Sequence, residues 1–284
     1  MLENSFRIIR GIGEKTEKSL WDLGIRSWDD IEMKNCPNGI SNNLWRIIRE
    51  NIYEYKKLLR RNDYRTLNET IPKDLTWRAI PNYQGRIAYL DIETTGLSYN
   101  NSQITTIAVF DGKTVNTFVD GINLRKFRRF IGQFPTIATF YGKCFDIPFI
   151  RNYLGIEMPQ IHFDVCFLLK KIGFSGGLKA IEKQFRFSRG ILSKLDGYHA
   201  VLLWNQYRKT RDERYLETLL AYNAEDVLNL EYLLNFAYNE ISMKENLPFN
   251  PLPTSERTVN NPFKAHKNIV REILSMNKAY GCYY

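Results

Sequence analysis

Residues 86–97 read RIAYLDIETTGL. The run from Arg86 to Ile92 is apolar and β-prone, so it predicts a strand, and Asp91 and Glu93 fall at its end. Residues two apart on a strand leave by the same face, so the two carboxylates share one small volume. Like charges held that close are costly unless a cation neutralises them, and the natural occupant is a hard divalent ion with oxygen ligands, Mg²⁺ or Mn²⁺. An isolated Asp-x-Glu at a strand end is also an ordinary solvated rim. Its meaning therefore depends on the sequence around it.

Downstream, Ile104–Phe110 (ITTIAVF) follows a polar turn, and Asp111-Gly112 introduces Thr114–Val119 as a hairpin would, which gives three successive antiparallel strands. A basic helix near Leu124–Ile131, a short strand Thr136–Phe140 and a helix from about Phe145 to Leu154 come next. The chain then turns helical, with helices expected near Val165–Ile172, Leu178–Phe185, Ala200–Arg208 and, as one long element, Glu213–Tyr238. Upstream, Leu44, Ile47, Ile48, Ile52, Tyr55 and Leu59 mark one face of a long helix within a helical segment. From Asn62 to Gly85 the period dissolves around Pro72 and Pro81, as in a linker or covering strap. After Pro248, Pro251, Pro253 and Pro262 a last helix is expected near Phe263–Met276, in a tail that wraps the domain. The fold class is α/β: a mixed sheet of three antiparallel strands and then parallel strands, flanked by helices, with a small amino-terminal all-helical domain. The expected division is 1–62, a linker 63–84, a main domain 85–242 and an extension 243–284.

The 284 residues carry 40 Lys and Arg against 31 Asp and Glu, net +9, which favours a polyanionic partner such as nucleic acid. No apolar run is long enough to cross a bilayer, and the opening MLENSFRIIRGIGEK has no secretory apolar stretch, so a soluble, cytoplasmic protein is expected. Cys36, Cys144, Cys166 and Cys282 are scattered without a CxxC pair, which argues against a zinc site or a disulfide framework and fits a reducing compartment.

Two further segments bear on the first carboxylate pair. In YGKCFDIPFI, Asp146 opens a helix after a strand, where the helix dipole alone would favour an acid. In LLAYNAEDVLNLEYLL, Tyr222 and Asp226 lie four apart on one helical face. In this order and on these element types, DIETTG, FD and YNAED resemble the three motifs of the DEDD exonucleases of the RNase H-like superfamily, in the version whose last motif is Tyr-x-x-x-Asp. The finer resemblance is to the YprB-like ribonuclease-H-like group. One position departs: where the second motif usually carries Asn, this chain has Tyr141.

The resemblance implies a divalent-metal-dependent 3′→5′ exonuclease that hydrolyses DNA or RNA, with Asp91, Glu93, Asp146 and Asp226 as ligands of two Mg²⁺ or Mn²⁺ ions. Two such ions activate a water and stabilise both oxygens of an in-line displacement. Tyr222 is implied as the residue that orients the attacking water, since a phenol of ordinary pKa positions better than it abstracts. The sister group's histidine would fall at Ala221. Thr94 and Leu97 resemble positions that touch the terminal nucleotide of a single-stranded 3′ end, although Leu97 also reads as a core or turn residue. The alternatives are a structure-specific endonuclease on the same site, or an inactive nucleic-acid-binding protein.

The run FRIIRGIGEKTEKSLWDLGI resembles a helix-hairpin-helix motif, in which a Gly-hydrophobic-Gly turn joins two short helices. Gly11 and Gly13, around Ile12, would bare backbone N–H groups to a phosphate, flanked by Arg10 and Lys15. Gly24 is expected to end the second helix, and Ser27 with Asp30 to cap the next. His162 and Asp164 alternate in IHFDV without a third ligand, so Asp164 reads as a helix cap and His162 as structural; His199 and His266 show no evident partners. Cys144 has no base nearby. Trp21, Trp28, Trp45 and Trp204 read as core.

Overall fold

The computed structural model describes residues 2–255 and 259–280; Cys282 lies outside them. After a 3₁₀ turn at Leu2–Asn4 come α1 (Glu14–Asp22), α2 (Trp28–Met33), α3 (Asn42–Arg60) and α4 (Tyr64–Thr70). β1 (Ile87–Thr94), β2 (Ile104–Phe110) and β3 (Val115–Val119) follow, then α5 (Phe127–Ile131), β4 (Thr136–Thr139), α6 (Asp146–Leu154) and β5 (Ile161–Asp164). Last are α7 (Val165–Lys171), α8 (Leu178–Gln184), α9 (Gly197–Thr210), α10 (Glu213–Leu228), α11 (Leu230–Lys244) and α12 (Lys267–Tyr280).

The sheet runs β3-β2-β1-β4-β5, with β1–β2 and β2–β3 antiparallel and β1–β4 and β4–β5 parallel. It is the expected mixed α/β architecture. Both faces are covered, so β1 is buried almost throughout: Ala88, Leu90 and Ile92 join one core with Phe127, Phe149 and Ile150, while Ile87 and Tyr89 join another with Leu230, Leu233 and Leu234. The two-residue period places Asp91 and Glu93 on the second face, under α10 and α11. The Asp111-Gly112 hairpin forms, with Gly112 at φ +89° and Asp111 Oδ1 accepting from the N–H groups of Lys113 and Thr114.

Several expectations need correction. The stretch 63–84 is α4 and a 3₁₀ helix, Thr76–Tyr83, whose Trp77, Ala79, Ile80 and Tyr83 are buried in the same core as the amino-terminal helices and the sheet. Pro81 sits inside that 3₁₀ helix, and the short period hides its apolar content. The single helix expected over 213–238 is two, α10 and α11, broken at Asn229, whose Nδ2 donates to the buried Glu182 at 2.8 Å. β5 has no counterpart among the expected strands, being only four residues long and held by its neighbour. The last helix begins at Lys267 rather than Phe263.

The amino-terminal motif is also only partly formed. Gly13 starts α1, Gly11 has φ +91°, Gly24 ends α1 at φ +78°, and Ser27 with Asp30 makes a capping box for α2. Among the described residues no α-helix precedes Gly11; buried Glu17 instead takes the N–H groups of Phe6 and Arg7 at 2.7 and 2.9 Å. Glu17 in turn meets Arg78 Nη1 at 2.8 Å, and Arg78 Nη2 reaches Glu245 at 2.7 Å, so one buried guanidinium ties the amino-terminal segment to the end of α11. The four tryptophans read as core are all buried. His199 pairs with Asp196 and His266 with Glu217, each at 2.6 Å, so both do have partners.

Candidate metal centre

β1 is the strand at which the sheet changes direction of growth: β2 leaves on one side and β4 lies on the other. Crevices form beyond the carboxyl ends of strands at such a point. Pairing with β4 ends at Tyr89–Ala138, and beyond it the N–H of Ile92 donates to Asp146 Oδ1 at 3.1 Å. Asp146, the first residue of α6, is thereby fixed at the end of β1, and only 3 % of it is exposed.

From the covered face, α10 brings Asn223 and Asp226. Asn223 Nδ2 donates to Asp91 Oδ2 at 2.7 Å, while its Oδ1 accepts from Thr106 of β2 at 3.0 Å. This amide clamps the carboxylate to the sheet. One oxygen from each of Asp91, Glu93 and Asp226 then lies within 4.8 Å of the others. Burial first, and then the negative charge of Asp226, pushes Asp91 and Glu93 well above the usual carboxylate range. Burial raises Asp146 to about 7, against the pull of the hydrogen bond from Ile92. A convergent, oxygen-only donor set, in which Asp91, Glu93 and Asp146 resist ionising by themselves, fits a hard divalent cation.

Two cations of the chain already face this cluster. Arg189, nearly buried, bridges Asp226 and Glu182 through Nη1 and Nε, each at 2.5 Å. Lys179 of α8 donates to the Tyr222 hydroxyl at 3.0 Å and to the carbonyl of Leu195, and burial lowers its pKa. Tyr222, one turn before Asp226, is pushed strongly upward by burial and by the charges of Asp226 and Glu93. It stays a phenol, and with Lys179 on its oxygen its O–H is left to donate. Arg189, Lys179, Glu182 and Asn223 were not among the sequence candidates. The one available signal was Asn223, adjacent to the tyrosine of the third motif.

Of the other candidates, Thr94 ends β1 with its hydroxyl turned to the Gly96 carbonyl at 2.6 Å, and Leu97 is 83 % exposed rather than in the core. Arg10, Gly11, Gly13 and Lys15 are exposed and Ile12 is buried, all in the amino-terminal segment. His162 is held by Thr139 at 2.8 Å, and burial drives its pKa down to about 3, so it is a neutral structural ring. Asp164 stands at the N-cap position of α7, as expected. Its oxygens accept from the N–H groups of Tyr141 and Lys143 at 2.9 and 3.0 Å.

A family model of the RNase H superfamily matches residues 88–238, more than half of the chain. The chain belongs to the RNase H superfamily. Its match in this superfamily begins in β1 and ends in α11, and so contains all four carboxylates and Tyr222. Among solved structures, NrnC from Brucella melitensis with bound Mg²⁺ is 18 % identical over 72 % of this chain and 91 % of its own, at a TM-score of 0.42. NrnC bound to pGG gives the same coverage at 0.41. A family B DNA polymerase from Pyrobaculum calidifontis is 15 % identical over 56 % of this chain and 24 % of its own, at 0.39. No curated protein matches the chain in sequence. No helix among the described residues is long and apolar enough to cross a membrane.

Proposed function

We propose that the protein is a divalent-metal-dependent nuclease that removes nucleotides from the 3′ end of a nucleic-acid strand. The observation that carries this reading is the close convergence of Asp91, Glu93 and Asp226 beside Asp146, at the carboxyl end of β1. The four carboxylates would hold two Mg²⁺ or Mn²⁺ ions. When bound, such ions supply activation of the attacking water and neutralisation of the charge on the departing oxygen.

The chain's own residues define the rest. Tyr222 remains protonated and offers its O–H to the attacking water, placing it rather than taking its proton. Lys179 fixes that hydroxyl and adds a positive charge beside the reacting phosphate. Arg189 sets the rotamer of Asp226, and Asn223 that of Asp91. Thr94 and Leu97, at the mouth of the crevice, border the terminal nucleotide. Residues 1–62, with Arg10, Gly11, Gly13 and Lys15 exposed around one turn that Ile12 anchors in the core, form a sequence-independent phosphate contact, and 85–242 form the catalytic domain.

The test is degradation of end-labelled DNA and RNA oligonucleotides, single- and double-stranded, with Mg²⁺ or Mn²⁺. Shortening from the 3′ end that is lost in Asp91→Ala and Asp226→Ala is the expected result. No difference from the double variant would end the enzymatic reading. Cutting of end-blocked strands would assign an endonuclease instead.

A further inference from the structure

The segment Tyr141–Phe145 joins β4 to Asp146 and is determined from several sides. Asp164 takes the N–H groups of Tyr141 and Lys143, the N–H of Cys144 returns to the Tyr141 carbonyl at 3.1 Å, and the N–H of Gly142 donates to Thr139 Oγ1 at 3.1 Å. A Cβ on Gly142 would stand 2.4 Å from that oxygen, so only glycine fits this close approach. From the far side, the Tyr99 hydroxyl donates to the Cys144 carbonyl at 2.7 Å.

Within this turn Tyr141 adopts φ +65°. Left-handed backbone suits Gly or Asn and is a true outlier for a bulky side chain. Such strain persists where something compensates, and burial of the ring does not: Tyr141 is 47 % exposed. Beside it stands Phe167 of α7, 37 % exposed, with ring centroids 5.9 Å apart. Lys170 places its ammonium 5.7 and 5.4 Å from the two ring centroids and is itself exposed. Two exposed aromatic rings and a cation thus stand together where α7 meets the turn that delivers Asp146.

We propose that Tyr141 and Phe167 form a stacking platform for a nucleobase of the strand whose end enters the carboxylate cluster, with Lys170 meeting an adjoining phosphate. This rests on the nucleic-acid substrate proposed above and gives it a subsite. A π-face accepts any base, so the platform holds single-stranded DNA or RNA without reading sequence, and a base still paired in a duplex is not free to use it. The cation among the rings adds attraction to both base and backbone.

The experiment measures binding separately from cutting. In the Asp226→Asn full chain, fluorescence anisotropy is recorded with labelled ten-nucleotide oligo-dT, oligo-rU and an abasic deoxyribose-phosphate strand of the same length. Tyr141→Asn removes the ring and relieves the backbone, so its thermal midpoint holds or rises. Its affinity for a base-bearing strand falls roughly five- to a hundredfold while the abasic strand binds as before. Phe167→Ala shifts affinity in the same direction. Unchanged affinity in Tyr141→Asn, an equal loss on the abasic strand, or no saturable binding by the parent would overturn the proposal. Cutting is read in the wild-type chain, so an inactive protein with Tyr141-dependent binding would overturn the nuclease reading and leave the platform standing.

Discussion

The carboxylate cluster makes metal-free stability depend on pH in an unusual direction, and Asp146 gives the clearest measure. Its folded pKa is about 7 against an ordinary 3.8. Between those values the folded state keeps a proton that the unfolded chain has lost, so stability falls as pH rises and the loss is complete above about pH 7. From pH 5 to pH 8 the span that counts is about 2 pH units, or about 3 kcal/mol at about 1.4 kcal/mol per unit. Asp91 and Glu93 act in the same sense. His162 opposes them, because its ring is neutral when buried and stability gained through it rises between about pH 3 and its ordinary value of 6.5. The assay is therefore urea unfolding in EDTA at pH 5 and pH 8 for the wild type and Asp146→Asn, in which His162 is unchanged. The amide keeps an oxygen for the Ile92 N–H, so relative to the wild type the variant gains about 3 kcal/mol on going to pH 8. Mg²⁺ in place of EDTA restores the wild type at pH 8. A difference between the two proteins that does not change with pH would refute the reasoning.

Other perturbations follow from single contacts. Tyr222→Phe keeps the ring over Lys179 and removes the donor, so turnover drops roughly 10²-fold while Mn²⁺ affinity by calorimetry stays within error of the wild type. Arg78→Met leaves Glu17 buried without its partner and costs about 3–5 kcal/mol in urea unfolding; a loss below about 1 kcal/mol would contradict the role given to that guanidinium. Arg10→Glu with Lys15→Glu weakens strand binding and makes the plot of log Kd against log salt shallower by roughly 1–2. An unchanged slope would remove the amino-terminal turn from the binding surface.

The first four strands and the motifs were legible because their signals are local. A two-residue period in RIAYLDIET sets the face of Asp91 and Glu93, and a four-residue interval aligns Tyr222 with Asp226. What escaped is long-range. Arg189 lies 37 positions from Asp226 and follows no periodic pattern, yet it makes the ion pair that holds that carboxylate. Glu17 and Arg78 are 61 positions apart, and their pairing explains why FRIIRG folds as turns and why 63–84 is packed rather than loose. Asn229 breaks an apparently continuous helical period because Glu182, from a distant element, takes its side chain. Tyr141 stood out only as a departure from a motif, and its left-handed backbone is set by contacts from distant residues such as Asp164.

The proposed chemistry requires cations among these carboxylates. Anomalous scattering from crystals of the protein soaked in Mn²⁺ tests it directly. A strong peak bounded by Asp91, Glu93 and Asp226, lost in Asp226→Asn, is the result expected. A cluster that stays empty at millimolar Mn²⁺, with Arg189 still closed on Asp226, would contradict it.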